Sequence, residues 1–564
     1  MESADVKSDI ENTAADRTDE RKNLSYKHAF LWELLLYIGV FVVTTALFFI
    51  LRPRMQQLRN GVTAQMLMVI SLGLIASFIS YMGVTKRLTA KKLILLLLLA
   101  GFVLRVGYML YTPASARQQD TYTKNFDGHE AYAWTLFTTG RLPTTNDYQF
   151  YHPPLNALLQ AGFMHFMKGL TDGIGSLFGL EDYFATGFLF AKPDYITENE
   201  RWFLYSTCQI LAVFYSFVTA AVSVKIVKMF RFSDKMTVFL SAFVIFYPRN
   251  IQFSGMLNND GVSYMFSILS LFFALKWWKG NRSILSILFC ALCVGLGMMA
   301  KFSSATVCLP IAGVFIYEFI RTLQKKTDAM PIGKMVLQYG AFLCVCAPIG
   351  LWFQVYANQR FGQELGYVFS NLNQKLYTGD HSFFERFFIA FDLSEYLGTL
   401  YCRPFEGNYN LFNYALRSSI FGEFSYWQGE GLAAAAILFA YAGALLLFIG
   451  LVWCAVLYFK GKKDERALWK REPPITGKDF LFVFLLMQSQ ALSEIYFYIK
   501  MPYGCTMDFR YIMPMILAIA LTVGYVEKTL KNTENKWALA LNRALTIAAV
   551  GLLASSALFY CVCI

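Results

Sequence analysis

Three carboxylates and a histidine are crowded into one short polar segment of this chain. Asp120, Asp127 and Glu130 lie within eleven positions of one another, and His129 stands between the last two. A carboxylate in such a segment can act as a general base and remove the proton of a hydroxyl group. The alternative is that each is an ordinary solvated loop charge. As a cluster they are the candidate catalytic residues, with Asp127 the first choice for the base, Asp120 the second, and Glu130 beside them.

Polar groups also recur at the ends of apolar runs further along the chain. Asn259 and Asp260 begin one such run, Lys301 interrupts another, Arg510 opens a third, and Arg403 lies in a polar stretch. Cations of this kind stabilise a phosphate leaving group, which arginine binds through two parallel hydrogen bonds. The simpler alternatives are that Asp260 is favoured by a helix dipole and that the basic residues reach towards lipid headgroups.

Tyr151 and His152 immediately precede two prolines, Pro153 and Pro154. Consecutive prolines fix φ and disfavour a helical residue before them, so the chain enters the following helix at a defined angle. Together with His129, these two side chains are candidates for binding substrate. The alternative is that the motif only marks a helix start, with Tyr151 as an aromatic residue of the membrane interface.

The composition indicates an all-α polytopic membrane protein. Of 564 residues, 56% are hydrophobic and 16% are charged, whereas soluble proteins carry about 25% charged residues. Apolar runs of about 20 residues predict about 13 transmembrane helices. The net charge of +12 lies mainly in short loops, so topology accounts for it and no nucleic-acid partner is expected. The predicted spans are 29–51, 65–84, 91–111, 203–229, 235–249, 261–278, 283–300, 302–321, 334–355, 432–459, 478–499, 510–527 and 538–561.

The basic residues predict the orientation of these spans. Clusters of lysine and arginine fall in alternate connections, which the positive-inside rule assigns to the cytoplasm together with the N-terminus. Two long segments, 112–202 and 356–431, are then extracytoplasmic. The connection 52–64 is an exception, because it should be external yet contains Arg52, Arg54 and Arg59.

The same pattern divides the chain into parts. Residues 1–28 are predicted to form a disordered cytoplasmic tail, 29–90 two additional transmembrane helices, 91–355 a catalytic transmembrane core, and 432–564 the C-terminal helices, with the external segment 356–431 between the last two. The apolar stretch Leu155–Leu170 is short for a span and is predicted to lie along the membrane interface as an amphipathic helix.

These features together resemble the GT-C glycosyltransferases. The similarity is to bacterial members related to the protein O-mannosyltransferases and the lipid A aminoarabinose transferases, and its elements extend from about residue 91 to 526. Each motif is short, and their order along the chain is the stronger signal. The motifs are Asp127-Gly-His-Glu-Ala-Tyr132, Gly140-Arg-Leu-Pro143, Gln149–Leu155, Asn258-Asn-Asp260, Gly297-Met-Met-Ala-Lys-Phe302 and Asp508-Phe-Arg-Tyr511.

The resemblance implies transfer of a sugar, with inversion, from a polyprenyl-phosphate donor to a lipid, glycan or protein acceptor on the extracytoplasmic face. It places the base in the first external loop, where the family often has two adjacent acids. Here Gly128 follows Asp127, which leaves Asp127 and Asp120 as alternatives. Some relatives use Mg²⁺ or Mn²⁺, so a divalent metal is possible. Two other functions remain open from the sequence.

The first of these is a transporter or lipid flippase, which would place polar groups near the bilayer midplane. The second is a non-catalytic scaffold of the same topology. A catalytic protein should bring Asp120 or Asp127 together with at least one of Lys301, Arg403 and Arg510.

Overall fold

A computed structural model shows a bundle of helices, with no β-strand among the residues it describes. These residues are 31–53, 62–118, 120–189, 191–326, 330–367, 377–378, 380–388, 409–424, 429–463, 475–533 and 535–563. Arg54, Arg59, Arg403 and the predicted tail 1–28 lie outside them. The predicted all-α class is confirmed.

The α-helices follow one another along the described chain. The first ten are α1 Leu31–Pro53, α2 Val62–Val84, α3 Ala90–Tyr111, α4 His129–Thr139, α5 Leu155–Phe178, α6 Glu181–Thr186, α7 Asn199–Thr207, α8 Gln209–Lys228, α9 Asp234–Phe246 and α10 Pro248–Gln252. The others are α11 Asp260–Lys279, α12 Ile284–Ala300, α13 Cys308–Leu323, α14 Ile332–Phe361, α15 Phe383–Phe387, α16 Leu411–Phe421, α17 Glu430–Lys463, α18 Gly477–Lys500, α19 Met515–Lys531 and α20 Lys536–Val562. Short 3-10 helices cover Tyr148–Tyr151, Phe253–Gly255, Phe302–Val307, Gly504–Met507 and Phe509–Ile512.

Ten of the described helices are long and apolar enough to cross a bilayer, or eleven if the bent pair Gly504–Ile512 and Met515–Lys531 forms one span. The predicted count of about thirteen spans is not confirmed. The predicted runs coincide with helical segments where the structure describes them, but 283–300 forms a helix of only 17 residues, and two further runs are interrupted. The run 235–249 is interrupted before Pro248, since the residue preceding a proline disfavours the helical conformation. The run 510–527 is bent by 62° at Pro514, which leaves Arg510 in a 3-10 turn.

Small residues allow helices of the bundle to approach closely. Gly295 of α12 lies so near α14 that a Cβ atom would come within 2.9 Å of the Ile349 side chain. A Cβ atom on Gly350 of α14 would likewise lie 2.9 Å from the sulfur of Met298. Such contacts favour association of membrane helices, where packing rather than hydrophobicity holds helices together.

The two ends of the bundle differ in character. At one end, α8, α11 and α19 finish with lysines in their last turns, in agreement with the basic connections read from the sequence. Buried Glu318 is paired there with Arg282 at 2.8 Å. The other end collects the polar loop after α3, the start of α11 and the end of α12. We call it the acidic end.

Helix α5 begins at Leu155, directly after Pro153 and Pro154, so the proline motif starts a helix as predicted. It buries residues such as Ala161 and Met164 and leaves Leu158 and Phe166 exposed. It is not among the ten described helices that are long and apolar enough to cross a bilayer. Its location along the interface stays a prediction.

Arg52, at the end of α1, explains part of the exception in the charge pattern. Its side chain is buried and donates hydrogen bonds to the backbone oxygens of Met109 and Leu110, to that of Thr112 at 3.1 Å, and to Gln209 Oε1 at 3.1 Å. The last four carbonyl groups of a helix have no partner within it, and Arg52 satisfies carbonyls at the end of α3. Its charge is therefore taken up inside the protein.

Replacing this arginine should weaken the start of the polar loop. In Arg52→Met, buried carbonyl oxygens at the end of α3 lose their donor, at a cost of about 1–3 kcal/mol. We expect a lower melting temperature of the purified protein in detergent. The matched control is Arg87→Met, because Arg87 is exposed and should tolerate the change. Equal melting temperatures for wild type and Arg52→Met would show that the contacts contribute nothing.

Candidate active site

The loop after α3 folds back onto the first turn of α4. The amide of His129 donates to the backbone oxygen of Asp120 at 3.1 Å, and that of Glu130 donates to Thr121 at 3.0 Å. Gly128 permits this approach, because a Cβ atom there would lie 2.5 Å from the oxygen of Thr121. Asp120 itself has a φ of +55°, a conformation that non-glycine residues adopt rarely and that often marks functional sites.

The Asp120 carboxylate faces the interior of the acidic end. It accepts a hydrogen bond from the hydroxyl of Tyr148 at 2.7 Å, and its other oxygen lies 3.5 Å from Nη2 of Arg510. The Asp120 side chain is 36% exposed, whereas that of Arg510 is 6% exposed. A partly accessible carboxylate thus lies beside a buried guanidinium, although 390 residues separate them in the chain.

Arg510 and Lys301 share a second carboxylate, that of Asp260. Lys301 donates directly to Asp260 Oδ1, and Nη1 of Arg510 lies 4.0 Å from Oδ2. Asp260 is the first residue of α11, and Asn258 donates to its side chain at 2.9 Å. Lys301 follows the last residue of α12 and lies 4.6 Å from the centre of the Tyr511 ring. The ends of three elements therefore meet here.

A buried ion pair supports Arg510 from behind. Arg249 donates to both oxygens of Asp508, at 2.9 and 2.8 Å, and both side chains are fully buried. Asp508 in turn accepts the backbone amide of Arg510 at 3.1 Å and lies 3.8 Å from its Nε. Gly422 provides the space, because a Cβ atom there would lie 1.8 Å from Nη1 of Arg249.

His129, Tyr151 and His152 form an aromatic wall near these charges. The two imidazole rings are stacked with centroids 5.7 Å apart, and the Tyr151 ring lies 4.0 Å from that of His152. Burial lowers the pKa of His129 to about 4 and lowers that of His152 well below its usual value. Both histidines are therefore neutral near pH 7 and can offer hydrogen bonds without adding charge.

Two of the candidate acids have partners elsewhere. The Asp127 carboxylate accepts a hydrogen bond from Thr123, four residues before it. Glu130 is buried and receives two hydrogen bonds from the Arg201 guanidinium. Among the contacts of the described residues, neither carboxylate is paired with Arg510 or Lys301. Arg403 lies outside the described residues, so its predicted role is not tested.

Residues 196–352 match the family described as dolichyl-phosphate-mannose-protein mannosyltransferase. That family is one of the GT-C superfamily, and we call the matched residues 196–352 the GT-C region. A search of curated proteins found no match. The similarity indicates a membrane glycosyltransferase of the GT-C type. The GT-C region contains Arg249, Asp260 and Lys301, whereas Asp120 and Arg510 lie on either side of it in the sequence.

A small cavity opens between the GT-C region and the turn that carries Arg510. It lies next to Asp260, is partly open to solvent and encloses only about 20 Å³, which is room for about one water molecule. Hydroxyl groups dominate its lining, which includes Ser263, Ser267, Ser303, Ser304 and Thr306. Neighbouring Asn259 is buried, and its side-chain nitrogen has no hydrogen-bond partner. The cavity thus presents donors beside two cations.

Several residues near the charged cluster were absent from the sequence-based set of site residues. Arg249 and Asp508 form the supporting pair, and Tyr148 holds Asp120. Glu423 accepts a hydrogen bond from Tyr414 at 2.7 Å, and burial raises its pKa to about 7. Glu494 lies within an apolar helix, and an ionisable residue in a predicted span is itself a signal of function.

No group of three or more His, Cys, Asp or Glu side chains is arranged to hold a metal ion within the part of the chain that the structure describes. The carboxylates of Asp120, Asp260 and Asp508 are instead paired with arginine or lysine.

The Arg249–Asp508 pair should behave as a unit in a double-mutant cycle. Removing one partner of a buried ion pair costs about 3–5 kcal/mol, whereas replacing both with apolar residues is often tolerated. We expect Arg249→Met and Asp508→Leu each to lower the melting temperature strongly. The double variant should recover much of the loss. Additive losses in the double variant would show that the two side chains do not depend on each other.

Proposed function

We propose that this protein transfers a sugar from a polyprenyl-phosphate donor to a hydroxyl group of an acceptor, with Asp120 as the general base. The observation that carries the proposal is the contact between Asp120 and Arg510. It joins a partly exposed carboxylate to the cations at the edge of the GT-C region. A base needs access to the acceptor, and a phosphate needs buried positive charge, so the two requirements are met side by side.

The proposed reaction is a single displacement at the anomeric carbon. Asp120 removes the proton of the acceptor hydroxyl as its oxygen forms a bond to that carbon. The bond between the carbon and the phosphate oxygen breaks, and the electron pair leaves with the polyprenyl phosphate. Attack from the side opposite the phosphate inverts the configuration of the sugar. Asp120 is protonated at the end of the step and returns its proton to solvent.

During this step negative charge is lost from Asp120 and develops on the phosphate, and Arg510 is placed to interact with both groups. Its distances to Asp120 and Asp260, 3.5 and 4.0 Å, exceed the 2.7–2.9 Å that is usual for charge-assisted hydrogen bonds. The guanidinium also donates to the Tyr511 hydroxyl at 2.8 Å, and it can exchange one of its longer contacts with a carboxylate for a contact with a phosphate. When Asp120 accepts the proton it loses its negative charge, while negative charge develops on the phosphate. Arg510 and Lys301 then stabilise the leaving group.

The aromatic wall has a separate role in the proposed reaction. His129, Tyr151 and His152 would bind the sugar or the acceptor through hydrogen bonds and ring faces, and Asn259 would contribute an amide. Asp127 remains the alternative base, in which case Thr123 would have to release its carboxylate. We assign Glu130 to holding the loop, through its two bonds with Arg201.

We place this chemistry on the extracytoplasmic face of the cell membrane, with the N-terminus in the cytoplasm. The charge pattern supports this placement, because the lysine-rich helix ends lie opposite the acidic end and such ends face the cytoplasm. The acceptor is a lipid, a glycan or a protein. The family description names a mannose donor, which makes polyprenyl-phosphate mannose the first donor to test.

The two candidate bases can be separated by isosteric substitution. Asp120→Asn should reduce transfer of radiolabelled sugar from polyprenyl-phosphate donors in membranes by about 10²–10⁴-fold, which is the usual contribution of a general base. Asp127→Asn should change the rate only a few-fold, because its carboxylate is bound to Thr123 at a distance from the cations. Melting temperatures of both purified variants check that each is folded.

A large loss of activity in Asp127→Asn with only a small loss in Asp120→Asn would instead identify Asp127 as the base. Full activity in both variants would exclude either carboxylate as the base. If the wild type transfers none of the sugars offered but moves a labelled lipid across the membrane, the flippase alternative is favoured instead.

A further inference from the structure

Glu494 is a buried acid without a hydrogen-bond partner. It lies in α18, only 3% of the residue is exposed, and neither oxygen of its carboxyl group has a hydrogen-bond partner. Another buried charge within a helix is, by contrast, satisfied. Arg105, within α3, donates to Ser216, Gly101 and Ile245 at 2.8–3.0 Å. Buried polar groups are normally bonded, so an exception requires an explanation.

Glu494 does not itself line the hydroxyl-lined cavity, but its neighbour Gln490 contacts the lining. Gln490 lies one helical turn earlier on the same face of α18 and donates to the Thr306 hydroxyl at 3.1 Å. Thr306 lines the cavity, and α18 packs against both 3-10 helices that border it, Phe302–Val307 and Phe509–Ile512. Residues i and i+4 of a helix are neighbours, so Glu494 lies beside this contact.

The cations of the site are also close. The charges of Asp508, Arg510 and Lys301 all interact with Glu494, although none of them forms an ion pair with it among the contacts of the described residues. A carboxylate in the interior without a hydrogen bond is very unfavourable, whereas a neutral carboxylic acid is less so. The neutral acid has one O–H group that can donate and is free to do so.

We propose that Glu494, as a neutral acid, donates a hydrogen bond to a phosphate oxygen of the lipid-linked donor when that phosphate binds to Arg510 beside the cavity. The assignment rests on the function proposed above. Phosphate is the ligand that best fits the surroundings, because Arg510, Lys301 and the serine hydroxyls all stabilise an anion. A neutral acid adds a donor to this set without adding a negative charge that would repel the ligand. No proton is transferred in this interaction.

The test compares Glu494→Gln with Glu494→Met. Glutamine keeps a donor in the same place, whereas methionine has a similar length and no donor. Binding of farnesyl phosphate to the purified full chain, measured by calorimetry in detergent, should weaken no more than about threefold in Glu494→Gln. It should weaken about tenfold or more in Glu494→Met, since hydrogen bonds to charged groups are among the stronger ones. Glu494→Leu replaces the methionine variant if that variant does not fold.

Stability provides the second measurement. A purely structural carboxyl without a partner is unfavourable, so its replacement by methionine should raise the melting temperature or leave it unchanged, and ligand binding should not change. Wild-type affinity in Glu494→Met, or equal losses in the glutamine and methionine variants, would overturn the proposal. Inorganic phosphate that binds as tightly as farnesyl phosphate would overturn the assignment to a lipid-linked ligand.

The result can also be separated from a failure of the transferase proposal, because the binding measurement needs no reaction. Glu494-dependent binding of farnesyl phosphate in a protein that transfers no sugar would contradict the proposed reaction and support the phosphate site. Sugar transfer with an unchanged KM for the donor in Glu494→Met would support the reaction and contradict the role of Glu494.

Discussion

The acidic end depends on balancing charges that are buried away from water. Arg510 stands at its centre, between the carboxylates of Asp120, Asp260 and Asp508. Unpaired charges in a protein interior are strongly destabilising, so each of these groups requires its partner. The cluster holds three cations and three carboxylates, namely Arg249, Lys301, Arg510, Asp120, Asp260 and Asp508. The elements that carry them must therefore end at the same place.

This requirement explains features of the fold that have no other evident purpose. The break at Pro248 places Arg249 in a short helix between α9 and α11, and the bend at Pro514 keeps Arg510 out of α19. A continuous helix at either position would direct the arginine differently. The loop after α3 is anchored at its base by Arg52 and at its tip by the backbone bonds to α4. Asp120 is thus held from both sides.

Much of the helical bundle could be predicted from the sequence, because apolar length and helix-end signals are local. Pro153 and Pro154 mark the start of α5, and Asp260 begins α11, as the sequence indicated. The positions at which spans break were harder to predict, since a proline within an apolar run can be tolerated or can end a helix. Pro348 lies inside α14 without interrupting it, whereas Pro248 begins a new helix.

Part of the candidate site could be predicted for the same reason. Asp260, Lys301 and Arg510 are polar residues at the ends of apolar runs, which a single sequence reveals. The choice between Asp120 and Asp127 depends on a partner 390 residues away, and local spacing carries no such information. Arg52 appeared to contradict the topology because counting charges cannot show that a guanidinium is bonded to backbone carbonyls.

We infer that the phosphate of the donor and the catalytic base Asp120 both contact Arg510. A structure of Asp120→Asn with a polyprenyl-phosphate sugar bound tests it most directly, since the variant should bind the donor and turn it over slowly. We expect the phosphate within hydrogen-bonding distance of Arg510 and Lys301, with the anomeric carbon facing residue 120. A phosphate bound away from both cations, or a sugar whose anomeric carbon faces Asp127, would contradict it.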